Sequence, residues 1–229
     1  MTNLKDAKAG AYLPASFLDW EGRVAAVIFI SGCGFRCPWC HNGALVRRET
    51  EEIPMERILS EIKRRSNFLD GVVISGGEPT LFPGLSEVMK EVRAAGLDVK
   101  LDTNGSNPAL LREIIDKGLA AHVAMDIKAP LDAESYSRLA GVSVDVAKIC
   151  ESIDIIKKYA PSYEFRTTYV PALHAISDLC EIREYLNDDT HWVVQPFKPF
   201  GCLDENFLSY KAADAEELKK ALPGIKIRG

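Results

Sequence analysis

Apolar and polar positions alternate along this chain with two different periods. The run "VAAVIFI" (24–30) is continuously apolar and bounded by charge and glycine, as in a strand buried on both faces. "MERILSEIKRR" (55–65) then places Met55, Ile58, Leu59 and Ile62 at helical spacing. "GVVIS" (71–75) reads as a short strand. "GLSEVMKEVRAAG" (84–96) puts Leu85, Val88, Met89 and Val92 on one helical face, with Gly96 as its stop. The pattern continues with a strand over 97–103, and a helix over 107–118 with a proline near its start. It goes on with a strand over 121–129, helices over 132–140 and 145–159, and a strand over 162–170. A helix over 176–187, a strand over 190–197 and a last helix over 211–222 complete it.

Six strands joined by helical crossovers predict a parallel sheet with helices outside. Eight such units would close a full barrel. Six predict an α/β fold of the partial (β/α)6 TIM-like barrel type. We expect a single domain over 1–229 with its core over about 16–199. The polar stretch "RRETEEIP" (47–54) reads as a solvated connection and not as a domain boundary.

Composition narrows the class. The 229 residues are 47% hydrophobic and carry a net charge of -5. One full-sized core is affordable, and the negative charge argues against a general nucleic-acid surface. No apolar run reaches the roughly 20 residues that span a bilayer. The opening "MTNLKDAKAGAYLPASF" has no apolar middle of a signal peptide. We expect a soluble, cytoplasmic protein with no membrane and no nucleic-acid partner.

The six cysteines do not form a disulfide framework, because only three of them cluster. Cys150 and Cys180 sit in helical patterns beside apolar residues and read as buried small hydrophobes. Cys202, after "QPFKPFG", is in a loop with no assigned role. Cys33, Cys37 and Cys40 fall within "SGCGFRCPWCHNG" (31–43), directly after the first strand. Three thiols without a nearby fourth suit a metal group that keeps one position open. Gly32 and Gly34 let this loop fold tightly, and Pro38 stiffens it. Phe35 and Trp39 either shield the group or belong to the core.

Polar signals mark the other strand ends as well. "GGEPT" (76–80) follows the second strand, "DTNG" (102–105) the third and "DIK" (126–128) the fourth. "RTTYVP" (166–171) closes the fifth, and "QPFKP" (195–199) follows the sixth. In parallel α/β architectures that end of the sheet carries function.

The C-x3-C-x2-C spacing followed by GGEP resembles the radical S-adenosylmethionine superfamily. "IFISGCGFRCPWCHN", "GVVISGGEPTL" and "MDIKAP" together resemble its glycyl-radical-enzyme activases, and most of all those that serve anaerobic ribonucleotide reductase. "DWEG" (19–22) departs from the proline-glycine pair common in that family. The resemblance implies that Cys33, Cys37 and Cys40 hold a [4Fe-4S] cluster whose open iron binds S-adenosylmethionine. It implies that Gly76, Gly77, Glu78 and Pro79 receive the methionine end of that ligand. Asp102, Thr103, Asn104, Asp126, Lys128 and His174 are expected around it, with a monovalent cation between Asp102 and Asp126. Glu78 has an alternative role within its own turn, Lys128 one facing solvent, and His41 one in an ordinary loop hydrogen bond. The implied partners are a glycyl-radical enzyme and a flavodoxin- or ferredoxin-type electron donor. With few residues left after the sixth strand, the partner is expected to cover the site. Two other readings stay open: an enzyme of the same superfamily acting on a small molecule such as a 7-deazapurine precursor, and a Cys3His zinc module using His41.

Overall fold

The computed structural model describes residues 4–228. Residues 1–3 and 229, which the single-domain reading includes, lie outside the described residues. In chain order the strands are β1 (Lys8–Ala9), β2 (Ala11–Ser16), β3 (Ala25–Ile30), β4 (Ile53–Pro54), β5 (Gly71–Gly76), β6 (Asp98–Thr103), β7 (His122–Asp126), β8 (Tyr163–Tyr169), β9 (Trp192–Pro196) and β10 (Lys226–Ile227). The helices are α1 (Gly43–Arg47), α2 (Met55–Arg64), α3 (Leu85–Ala94), α4 (Pro108–Asp116), α5 (Ala133–Ala140), α6 (Val146–Tyr159), α7 (Ile176–Tyr185) and α8 (Ala215–Ala221).

One eight-stranded sheet runs in the order β10-β9-β8-β7-β6-β5-β3-β2. The six strands expected from the apolar pattern form its centre, all parallel. The sheet curls with helices outside and stays open at its edges, as a partial barrel does. Two edge strands escaped the sequence reading: β2, antiparallel to β3, and the short β10, parallel to β9. Away from this sheet, β1 and β4 pair antiparallel.

The strand alternation divides the core. Ala26, Ile28 and Ile30 of β3 join Val72 and Ile74 of β5 in the main layer under the helices. Ala25, Val27 and Val73 turn to the barrel interior, where Trp20 packs on them. Gly71 makes room for that ring, since a Cβ there would lie 2.7 Å from it. Local signals set the helix ends. Asn107 caps α4 by accepting from Leu110 N–H, and Asp132 caps α5 through Ser135 N–H. Gly141, at φ +69°, follows α5 in the left-handed conformation that stops a helix.

Three expectations need correction. Cys150 is half-buried and Cys180 exposed, so neither is a core residue. Ile149 and Ile153 carry the buried face of α6 and Leu179 and Ile182 that of α7, and each cysteine lies one step around the helix from it. The last helix begins at Ala215 and not at 211, because the Asp214 carboxylate accepts from Glu216 and Glu217 N–H and fixes the start there.

Inside the barrel, β6 alternates Val99 and Leu101 outward with Lys100 and Asp102 inward. Lys100 is buried, and its ammonium donates to the Asp19 carbonyl at 2.6 Å and lies 3.3 Å from Asp102 Oδ1. His122 on β7 sits nearby, paired with Ser162 Oγ at 2.9 Å. Burial, aided by Lys100, pushes the His122 imidazole down to about 4. The unfolded chain, with an ordinary histidine pKa, therefore takes up this proton first as pH falls. Stability from this group is intact above about pH 6.5 and is lost as pH drops towards 4. Discounted for partial solvent screening, the loss between pH 7 and 5 is about 1 kcal/mol. Thermal melts of wild type and His122→Gln should diverge in their pH dependence over that window. Identical pH profiles would refute this assignment.

Candidate active site

A cavity of about 420 Å³ opens at the C-terminal ends of the parallel strands, within the size range of small-molecule sites. Cys33, Cys37 and Cys40 all line it. Their loop is held on every side by main-chain bonds. Gly32 N–H donates to Leu45 O at 2.8 Å, Arg36 N–H to Ala140 O at 2.7 Å, and Cys40 N–H to Cys37 O at 3.0 Å across the Pro38 turn. Asn42 ties the loop to the next strand end by donating to Gly76 O at 2.8 Å. The Cys33 sulfur receives Phe35 N–H at 3.3 Å and faces Asn104 Nδ2 at 3.8 Å. Phe35 and Trp39 are buried in the core and also line the cavity. Burial pushes the Cys33 thiol up and the Cys37 thiol up to about 12.

The GGEP turn lies against this loop. Gly77 N–H donates to Ile30 O at 2.8 Å and Glu78 N–H to Gly32 O at 2.9 Å. Gly76 has φ +114°, a conformation that side chains disfavour. Gly76, Gly77 and Pro79 line the cavity, whereas Glu78 does not. The Glu78 carboxylate is fully buried and accepts from Thr80 N–H (3.1 Å), Thr80 Oγ1 (2.6 Å), Thr103 Oγ1 (2.8 Å) and Asn104 N–H (2.7 Å). Burial pushes its carboxyl up against those bonds. Glu78 thus fastens the second strand end to the third and is spent on structure.

Asp102, Thr103, Asn104, Asp126 and Lys128 all line the cavity as the motifs suggested. His174 does not. It is buried, with Nδ1 accepting from Val170 N–H at 3.1 Å, so Nε2 carries the proton and donates it to Lys128 O at 2.8 Å. Burial lowers its pKa, consistent with this neutral tautomer. It holds the backbone of Lys128 and stands edge-on to Trp39 at 5.9 Å.

The floor of the cavity is ionic. Register places Asp126 beside Arg166 on the next strand. The guanidinium donates to Asp126 Oδ1 through Nε at 2.7 Å and to Asp102 Oδ2 through Nη1 at 3.3 Å. Lys128 donates to Asp126 Oδ2 at 2.9 Å, and Ser75 Oγ to Asp102 Oδ2 at 3.0 Å. Burial alone would raise both carboxyls, but Arg166 with Lys100 or Lys128 outweighs it and holds both below the usual carboxylate range. Lys128 therefore faces the cavity and not solvent. Arg166, Asn42, Ser75 and Gln195, to which the sequence assigned no individual role, also line the cavity. Polar residues at inward positions of otherwise apolar strands were the available signal.

The donor set can be tested against a metal group. Among the described residues no three His, Cys, Asp or Glu side chains are arranged to hold one metal ion. His41 is committed elsewhere, with Nε2 2.9 Å from Lys198 O and its ring stacked on Phe200 at 4.3 Å. Three soft thiols lining one cavity, with no fourth cysteine among its lining residues and His41 engaged by Lys198 O, fit an iron–sulfur cluster with an open iron better than a closed zinc site.

Comparison with known proteins agrees. Residues 27–186 match the family described as the radical SAM superfamily. The chain belongs to that superfamily. A Methanocaldococcus jannaschii protein that bears the name of a glycyl-radical enzyme activating enzyme is 33% identical over 210 residues, covering 90% of this chain and 86% of its own length. The pyruvate formate-lyase-activating enzyme of Clostridium pasteurianum is 26% identical over 209 residues, 86% of each chain. Among solved structures, a radical SAM methyltransferase from Sphaerobacter thermophilus superposes with a TM-score of 0.66 at 14% identity. That superposition covers 91% of this chain and 66% of the methyltransferase, and it supports the fold alone. Among the described residues, no helix is long and apolar enough to cross a membrane.

Proposed function

We propose that this radical SAM enzyme is an activase that reductively cleaves S-adenosylmethionine and generates a glycyl radical on a partner enzyme. The observation that carries this reading is the near-full-length similarity to activating enzymes, joined to three thiols that line a cavity with an ionic floor. Cys33, Cys37 and Cys40 would hold a [4Fe-4S] cluster. When bound, such a cluster supplies the electron that splits the sulfonium into methionine and a 5′-deoxyadenosyl radical. The chain's own task is to bind, orient and exclude water.

Gly76, Gly77 and Pro79 offer main chain to the methionine ammonium, which needs carbonyl acceptors. Lys128 and Arg166 supply positive charge for its carboxylate, and Thr103 and Asn104 shape the wall between. Glu78 and His174 act through these residues, by fixing the strand end and the Lys128 backbone. A single radical SAM domain in the cytoplasm, with a flavodoxin- or ferredoxin-type donor, suits an oxygen-sensitive, low-potential centre.

Anaerobic ribonucleotide reductase is the first partner to test, because the motifs resemble its activating proteins most. With the reduced, reconstituted enzyme and a partner deuterated at its radical-bearing glycine, deuterium should appear in 5′-deoxyadenosine and a stable radical on the partner. Cleavage should also accelerate when the partner is added. Deuterium arriving from a small molecule with no partner present would replace this reading with the small-molecule one.

A further inference from the structure

Asp102 and Asp126 face the cavity from neighbouring strands, and they need counter-charge to remain ionised there. The resemblance drawn from the motifs answers that need with a monovalent ion. The geometry points to a different answer in this chain: Arg166 is the fixed counter-ion of the site, and S-adenosylmethionine binding needs neither Na+ nor K+. This inference rests on reading the cavity as the S-adenosylmethionine site.

Asp102 and Asp126 present four carboxylate oxygens. Asp126 Oδ1 takes Arg166 Nε at 2.7 Å, and Asp126 Oδ2 takes Lys128 Nζ at 2.9 Å. Asp102 Oδ2 takes Arg166 Nη1 at 3.3 Å and Ser75 Oγ at 3.0 Å. Asp102 Oδ1 is buried without a hydrogen bond but lies 3.3 Å from Lys100 Nζ. Every carboxylate oxygen therefore already faces a cation. Glu164, 3.9 Å from Arg166, is engaged by Arg228 at 2.9 and 3.0 Å. Lys100, Lys128 and Arg166 thus face Asp102 and Asp126, while Lys100 also lies 4.0 Å from Glu164, and Asp19, a third carboxylate on the cavity lining, accepts from Ser16 Oγ. A further cation between Asp102 and Asp126 would meet the guanidinium already there and the ammonium groups of Lys100 and Lys128, whereas Lys128 and Arg166 on the cavity lining attract an anionic ligand group.

Arg166 is also hard to displace. Its side chain is 13% exposed and rises from the middle of β8, with Asp126 directly opposite in register. Its planar fork spans two carboxylates on two strands, which a spherical ion would have to match by drawing them together.

The test uses the anaerobically reconstituted holoenzyme. Its affinity for S-adenosylmethionine should agree within about twofold in NaCl, KCl and choline chloride at equal ionic strength. The ²³Na resonance should show no specific broadening by the wild-type protein that K+ relieves. Arg166→Met opens the position: its affinity should drop about tenfold or more in choline chloride and recover on adding Na+ or K+, with ²³Na broadening appearing. A wild-type affinity at least tenfold weaker in choline chloride, or K+-sensitive ²³Na broadening by wild type, would overturn the inference. If Arg166→Met does not fold, the two wild-type measurements still decide. If iron loads but S-adenosylmethionine binds in no salt, the functional reading fails, while the ²³Na measurement continues to test whether Arg166 fills the cation position.

Discussion

Replacing any one of Cys33, Cys37 or Cys40 with alanine is expected to abolish cluster loading and reduce S-adenosylmethionine cleavage to background. Each thiol would anchor a separate iron, and no fourth cysteine lines the cavity. After anaerobic reconstitution the wild type should bind about four irons per chain and the variants far fewer. The three remaining cysteines are controls with distinct surroundings. Cys150 is half-buried, Cys180 exposed, and Cys202 buried with its thiol towards Phe200 O at 3.7 Å. None of them lines the cavity, so Cys150→Ala, Cys180→Ala and Cys202→Ser should keep full iron content. Far-ultraviolet circular dichroism must show that the depleted variants still fold. One zinc per chain, with no iron-dependent absorbance in the wild type, would sink the cluster assignment.

What could be seen in the sequence follows from how far each signal reaches along the chain. The central strands were legible because burial on both faces leaves uninterrupted apolar runs such as 24–30. β2 was not, because "AYLPAS" carries a proline and is mostly half-buried, which an edge strand tolerates and a central one does not. The two residues of β10 offer no period at all. Most of the candidate site was visible as polar punctuation at strand ends. The roles within it were not, because they depend on register. Asp126 and Arg166 are neighbours only through strand pairing, 40 positions apart in the chain. Glu78 sits between Gly77 and Pro79, which line the cavity, and nothing local reveals that its carboxylate turns away to accept from Asn104 N–H, or that His174 turns to the Lys128 carbonyl. Trp20 in the divergent "DWEG" segment became intelligible only with Gly71 beneath it.

Gly77→Ala is expected to damage the metal-binding loop and the ligand site together, which differs from what the motif alone suggested. The sequence reading reserved the space at Gly77 for an approaching ligand. The structure shows that the chain's own backbone uses it: a Cβ at Gly77 would lie 2.0 Å from Gly32 O and 2.6 Å from Gly32 C. Neither partner can yield cheaply. Gly77 N–H is bonded to Ile30 O, and Gly32 O accepts Glu78 N–H, so relieving the clash breaks bonds that join the turn to the loop. Glu78 in turn carries Thr103 and Asn104, so the disturbance reaches the third strand end. We expect a loss of about 2–4 kcal/mol, seen as a melting temperature lower by roughly 5–15 °C. Because Gly32 adjoins Cys33, iron loading should fall with it. Gly34 is the internal control. It lies in the same loop, yet a Cβ there meets only Leu81 Cδ1 at 3.8 Å, an ordinary contact. Gly34→Ala should therefore keep both stability and iron. A Gly77→Ala protein with wild-type melting temperature and full iron, yet weakened S-adenosylmethionine binding, would return the space at Gly77 to the ligand.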